Sequence, residues 1–198
     1  MDLGLLYSGG KDSSLAALLL SAFYDVTLVT ARFGITDDWR HAERAAEGTA
    51  FDFRPLELDR AVAEAAVERM LEDGYPRNGI QQVHVHALER LAGEEFNAVA
   101  DGTRRDDRVP SVSRARAQSL EDRHGVDYVA PLSGFGRGAV DGLVEENLTV
   151  EVGPSESIER ADYEAELRAL LAERAGAEAV ADVFPDHEQT SVTGFRSR

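Results

Sequence analysis

Strand-length apolar runs alternate with longer helical segments along most of this 198-residue chain, and that rhythm limits its fold more than any other feature. "LGLLY" (3–7), "DVTLVTARF" (25–33), "AFDFRPLEL" (50–58), "FNAVADGT" (96–103) and "VDYVAPL" (126–132) each have room for one buried strand. Between them lie "SSLAALLLSAF", "DDWRHAERAAEG", "DRAVAEAAVERMLEDG", "IQQVHVHALERLAGEE" and "SVSRARAQSLEDRHG", all of helical composition. Asp59 is a candidate cap, Gly74 a stop, and Pro55 points to a strand near an edge. Strands separated by helices at this spacing imply βαβ units, hence an α/β fold with a doubly wound, mostly parallel five-stranded sheet covered by helices on both faces. A helix near 138–146, a short strand "LTVEV", the helix "ADYEAELRALLAERAG" and a less regular tail complete the chain. We expect one domain over 1–175, with 176–198 as a tail packed on or near the site.

The turn "SGGKDSS" (8–14) joins the first strand directly to the first helix. Such a junction presents consecutive backbone N–H groups at a helix N-terminus, where unpaired donors and the helix dipole both favour an anion. Gly9 and Gly10 permit the turn, Ser8, Ser13 and Ser14 add hydroxyls, and Lys11 adds a point charge. Of 21 basic residues 20 are arginine, and the only lysine falls in this window. The spacing does not fit the Walker A pattern, because only two adjacent glycines precede Lys11. "DGTRRDD" (101–107) follows the fourth strand, and ligands of open α/β sheets bind at the carboxyl ends of strands. The two turns are therefore expected to converge.

Composition excludes several classes. There is no cysteine, so disulfides, thiolate metal sites, cysteine-bound iron–sulfur clusters and a catalytic thiol are absent from this chain. The apolar run Leu15–Leu20 is too short to span a bilayer, and we expect a cytoplasmic protein without membrane association. Formal charge is −16, with acids interspersed among arginine and alanine. Acidity with almost no lysine is the composition of proteins from salt-loving archaea, where a Debye length of about 3 Å at molar salt screens self-repulsion.

"SGGKDSS" after the first strand resembles the S-G-G-x-D-S signature of the PP-loop ATP pyrophosphatases, whose fold is that of the adenine nucleotide alpha hydrolases. "DGTRRDDRVP" is similar to their second nucleotide-contacting segment. "ADYEAELRALL" and "HEQTSVTGF" resemble a small archaeal stand-alone branch related to tRNA thiouridylase-type enzymes. The resemblance implies ATP and Mg2+ as cofactors, adenylation of a substrate carbonyl or amide oxygen, and release of pyrophosphate into the Ser8–Ser14 loop. It implies catalytic roles for Lys11, Asp12 and Asp107, with Asp12 as the metal ligand. Ala31, Arg32 and Phe33 would border the adenine, and Gly102 and Thr103 the ribose and α-phosphate. tRNA is the implied acceptor. Without cysteine, sulfur must arrive as sulfide or on a sulfur-carrier protein, or the nucleophile is ammonia. An amide- or nitrile-forming synthetase on a small molecule and a non-catalytic ATP-binding subunit remain open alternatives, as does a dimeric state.

From Arg104 to Arg123 six arginines stand against four acids, a net +2 inside a −16 protein. Arg104, Arg105, Arg108, Arg114 and Arg116 are candidates for binding an anionic substrate or RNA backbone, with a solvated helix face pairing with neighbouring acids as the equally weighted alternative. His84 and His86, two apart, fall on different helix faces and are read as structural. His187 is read first as a surface residue and second as an acid or base. Trp39 and Tyr163 are assigned to packing, and "GFGRG" (134–138) to a mobile loop with the character of a lid.

Overall fold

The computed structural model describes residues 1–154, 161–184 and 188–196. In chain order its elements are β1 (Asp2–Leu6), α1 (Lys11–Leu20), β2 (Asp25–Arg32), α2 (Trp39–Glu47), β3 (Asp52–Glu57), α3 (Arg60–Asp73), α4 (Arg77–Ala92), β4 (Ala98–Ala100), α5 (Arg114–His124) and β5 (Asp127–Val129). A short 3-10 helix (Pro131–Gly134), α6 (Arg137–Asn147), β6 (Leu148–Pro154), α7 (Tyr163–Ala175), α8 (Ala177–Val183) and β7 (Glu188–Phe195) complete the order.

The first five strands form one parallel sheet in the order β3-β2-β1-β4-β5. Alternation along the central strands assigns the two faces. Leu3, Leu5 and Tyr7 of the β1 segment, with Val26 and Leu28 of β2, pack with α1, α2 and α6. Leu6 of β1 and Val29 and Ala31 of β2 pack with α3, α4, α5, α7 and α8 on the other face. Leu3, Leu5, Leu28 and Val29 have no exposed surface, and full burial of each side chain contributes about 1.5–3 kcal/mol. The expected doubly wound α/β architecture is therefore the one observed. Pro55 lies in β3, the edge strand, where a missing N–H leaves no ladder bond unmade. Asp59 caps α3 by accepting from the Ala61 N–H at 2.9 Å, and Gly74 ends it at φ +63°.

Two segments differ from the expectation. "LTVEV" and the tail pair with each other, β6 antiparallel to β7, as a separate ribbon outside the main sheet. Val192 of β7 is buried against the α1 face, and its N–H donates to the Gly9 carbonyl at 3.0 Å. "GFGRG" is no free loop: Gly134 ends the 3-10 helix, Gly136 is the N-cap of α6, and Arg137 begins that helix. Gly136 has the extended φ/ψ that suits a cap, and Gly138 already lies within α6. Among the described residues no helix is long and apolar enough to cross a membrane.

Candidate functional site

Strand order switches direction between β1 and β4, and the turns leaving these two strands meet there. Gly9 adopts φ +75°, which only glycine takes without strain, and turns the chain from β1 into α1. Gly10 is extended and serves as the α1 N-cap without a side-chain cap. The first-turn N–H groups of α1 therefore lack intrahelical acceptors. Ser8 and Ser13 close the turn on itself: their hydroxyls lie 3.2 Å apart, the Ser13 hydroxyl donates to the Gly10 carbonyl, and the Ser8 hydroxyl accepts from the Gly10 N–H.

Across from this turn, Gly102 approaches so closely that a Cβ would stand 2.8 Å from the Ser13 nitrogen and 3.0 Å from the Asp12 carbonyl carbon. Backbone on both sides cannot yield as a flexible side chain would. Gly102→Ala is expected to push α1 away from the β4 turn, lowering the melting temperature and weakening anion binding at the loop at least tenfold. Gly142→Ala is the contrast: among the described residues an added methyl there meets nothing within 4 Å, and a helix-interior Gly-to-Ala change should stabilise by about 0.5–1 kcal/mol. Equal melting temperatures for the two variants would rule out the close approach as a constraint.

Between the two turns lies a cavity of about 190 Å3 lined by Ser8, Asp12, Ser13, Ala31, Thr103 and Tyr163, among others. This is below the roughly 300 Å3 at which small-molecule pockets usually begin, so it suits part of a nucleotide rather than a whole one. A larger cleft of about 980 Å3 opens at the other end of the sheet, around Asp2, Asp25 and Asp52 at the amino ends of β1, β2 and β3. It is remote from both turns.

The floor of the small cavity is a polar network centred on Asp101, a residue missing from the sequence-based candidates, although its partner Thr103 was among them. The Asp101 carboxylate, 1% exposed, receives four donors: the Thr103 N–H (2.9 Å) and hydroxyl (2.6 Å) on Oδ1, and the Tyr128 hydroxyl (2.9 Å) and His84 Nε2 (2.9 Å) on Oδ2. Because a carboxylate only accepts, His84 carries its proton on Nε2, and its Nδ1 faces the Tyr163 hydroxyl at 3.0 Å. Burial raises the Asp101 pKa, but the bonds from His84 and Thr103 outweigh it and hold the group below the ordinary carboxylate range. Burial, reinforced by the Asp101 charge, pushes the Tyr128 hydroxyl up. His84 was legible as an anomaly: Ile80, Val83, Ala87, Leu88 and Leu91 form the buried face of α4, and His84 falls on that stripe. His86 has no part in the network.

Asp12 has the opposite balance. Burial raises its carboxyl pKa, Arg104 and Lys11 lower it less, and the charges of Asp107 and Asp141 add to the rise. Among the described residues its Oδ1 is buried without a hydrogen-bond partner. A carboxylate oxygen so placed is suited to a cation. Among the described residues no three carboxylate or imidazole groups cluster as an all-protein metal cage, but Mg2+ commonly takes one or two carboxylates and completes its shell with water and phosphate oxygens. Asp12 fits that mode. Asp107 does not, since its Oδ1 and Oδ2 are engaged by the Arg104 side chain (3.0 and 3.2 Å) and N–H (2.7 Å).

The remaining candidates divide. Lys11 lies 3.6 Å from Asp141 of α6. Ala31 lines the cavity, whereas the Phe33 ring is buried in the core and its N–H donates to Glu166. Glu166, from α7, also accepts from the Ile35 and Thr36 amides, fixing the loop after β2. Arg32 stacks on Trp39 at 5.0 Å. Ser14 is fully buried with its hydroxyl donating to the Tyr7 hydroxyl, so it offers no side chain to the loop. Tyr163 packs against the core as expected and also lines the cavity. Arg104 is spent on Asp107 and Asp12 and is not available to substrate. Arg105, Arg108, Arg114 and Arg116 are exposed and have no acidic partner among the described residues. His187 lies outside the described residues.

The sequence model of a family of unknown function, DUF7411, matches residues 1–194. The chain belongs to DUF7411. Its relatives include an uncharacterized protein of Methanocaldococcus jannaschii, MJ0690, 42% identical over 197 residues, covering 99% of this chain and 97% of the relative. A crystal structure from the same organism, described as a predicted subunit of tRNA methyltransferase, superposes with a TM-score of 0.90 at 41% identity, covering 100% of this chain and 99% of that one. The DUF7411 fold is thus shared across its full length with a solved structure.

Proposed function

We propose that this DUF7411 protein is an ATP-dependent, AMP-forming enzyme of the PP-loop type, acting in tRNA base modification. The observation that carries the reading is the uncapped start of α1 at the sheet's switch point, with the Asp12 Oδ1 buried and unpartnered beside the same cavity. The first-turn amides of α1 and Lys11 would receive the β- and γ-phosphates, and the Lys11–Asp141 pair would open to free the ammonium. A substrate carbonyl or amide oxygen attacks the α-phosphorus, the bond from that phosphorus to the α–β bridging oxygen breaks, and pyrophosphate leaves with the electron pair. Negative charge grows on pyrophosphate, and donors already oriented toward it lower the barrier. Asp12 would hold Mg2+, which supplies charge neutralisation at the phosphates. A sulfide or ammonia nucleophile would then displace AMP, since the chain has no thiol of its own. The M. jannaschii neighbour described as a predicted tRNA methyltransferase subunit supports tRNA as the acceptor.

One observation favours a second reading. Arg104 and Lys11 are paired with Asp107 and Asp141, and a cavity of about 190 Å3 is small for catalysis on a macromolecule. A subunit that binds adenine nucleotide without cleaving it fits those facts. α-Labelled ATP incubated with Mg2+, unmodified tRNA and sulfide or ammonium separates the two. Acceptor-dependent AMP and pyrophosphate are expected; ATP bound but uncleaved with every acceptor supports the subunit reading instead.

A further inference from the structure

A groove of about 640 Å3 runs along the start of α4 and the segment that leads into α5, lined among others by Tyr75, Arg77, Asn78, Arg108 and Arg116. We propose that it binds a single-stranded segment of RNA and leads that segment to the cavity beside Asp12. The choice of RNA rests on the proposed action on tRNA; the location rests on unpaired charge, an exposed ring and a wall shared with that cavity.

The basic charge here is unspent. Arg77, Arg108 and Arg116 are exposed, and none has an acidic partner among the described residues, in a protein of net charge −16 whose other arginines are frequently paired. Among the described residues the one acid lining the groove, Asp73, is occupied by Asn78 (2.7 Å) and Arg69 (3.1 Å). Three unpaired guanidinium groups along one groove match a phosphodiester backbone. Tyr75 supplies the second component. Its side chain is 51% exposed in the groove, and an exposed ring beside arginines is the platform on which an unstacked base rests.

Groove and cavity share a wall. The segment 107–111 forms the partition between them: Asp107 and Pro110 line the cavity, while Arg108, Val109 and Ser111 line the groove. Gln81 of α4 pins that partition, donating to the Ser111 carbonyl (2.9 Å) and accepting from its N–H (3.0 Å). A strand held in the groove thus lies one chain thickness from the cavity that Asp12 lines.

The test is fluorescence anisotropy with an end-labelled unmodified tRNA transcript, from roughly 50 to 300 mM salt. For Arg77→Glu/Arg116→Glu we expect at least a tenfold loss of affinity, with the salt slope falling by roughly 0.7 for each phosphate contact removed. Tyr75→Ala should weaken binding by roughly fivefold or more without changing the slope. Melting temperatures check that the variants fold. Wild-type affinity in both variants, no RNA binding by the wild type at the lowest salt, or equal competition by a polyglutamate peptide would each overturn the groove assignment. ATP titration in the presence of Mg2+, run in parallel on the wild type, tests the nucleotide reading separately: ATP binding with groove-independent RNA binding defeats only the groove, and groove-dependent RNA binding without ATP binding defeats only the nucleotide reading.

Discussion

Asp12→Asn is expected to lower acceptor-dependent AMP formation by at least about 10²-fold, the usual loss when a preorganised electrostatic group is removed, while raising the melting temperature. The two effects share one cause. Asp12 is a largely buried carboxylate whose pKa burial raises, with one oxygen unpartnered and two like charges, Asp107 and Asp141, nearby. The folded protein therefore binds a proton at Asp12 more readily than the unfolded chain does. Above its raised pKa the ionised group opposes folding, and as pH falls through that value the penalty is relieved. Asparagine removes the penalty at neutral pH and, with it, the anionic oxygen that would hold Mg2+. Thermal melts from acid to neutral pH, paired with AMP formation, check both halves. A variant that loses stability and keeps full activity would falsify the assignment of Asp12 as the metal-holding group.

Asp101→Ala is expected to destabilise the fold by about 3–5 kcal/mol, the order expected when several buried donors lose one shared acceptor, at about 1–3 kcal/mol for each group left unsatisfied. His84 Nε2–H, the Tyr128 hydroxyl and both Thr103 donors would lose their acceptor in a site that water does not reach freely. At about 2–4 °C per kcal/mol for a chain of this size, the melting temperature should fall by roughly 6–20 °C. The pH dependence runs opposite to that of Asp12. The folded-state pKa of Asp101 is depressed, so its contribution is complete above the ordinary aspartate range and is lost as pH falls below that range toward the depressed value. Asp101→Asn should therefore flatten the acid limb of a stability–pH curve that the wild type shows. An unchanged acid limb and a melting temperature within about 2 °C of wild type, less than the shift expected for 1 kcal/mol, would exclude the network as the anchor of the Gly102 turn.

These two aspartates show how far the residues could be read in line. Asp12 stood out because it follows Ser-Gly-Gly-Lys at a strand-to-helix junction, a local pattern with a local reason. Asp101 lies in an equally suggestive turn, but its value comes from His84, 17 positions earlier, and Tyr128, 27 positions later. Those partners meet it only because β4 lies between β1 and β5 and α4 packs on the same face. Arg104 is the reverse case. In sequence it belongs to a basic cluster, yet Asp107 three residues on and Asp12 across the turn neutralise it. Ser14 and Phe33 were misplaced for a simpler reason: one step along a helix or strand end turns a side chain from the open face into the core.

By itself the sequence determined the strand–helix rhythm, the glycine turn after β1, the edge position implied by Pro55 and the cap and stop of α3. Each depends on periodicity or on the allowed backbone angles of a few neighbouring residues, and such constraints act over short stretches of chain. Tertiary structure alone decided that β4 inserts beside β1, bringing Gly102 against α1, and that Asp101 gathers four donors while Asp12 keeps one oxygen bare. It also decided that β7 docks on Gly9 and that Arg77 joins Arg108 and Arg116 along one groove. Strand order and the packing of distant helices set those meetings, and both arise from burying two apolar faces at once, a condition of the whole chain.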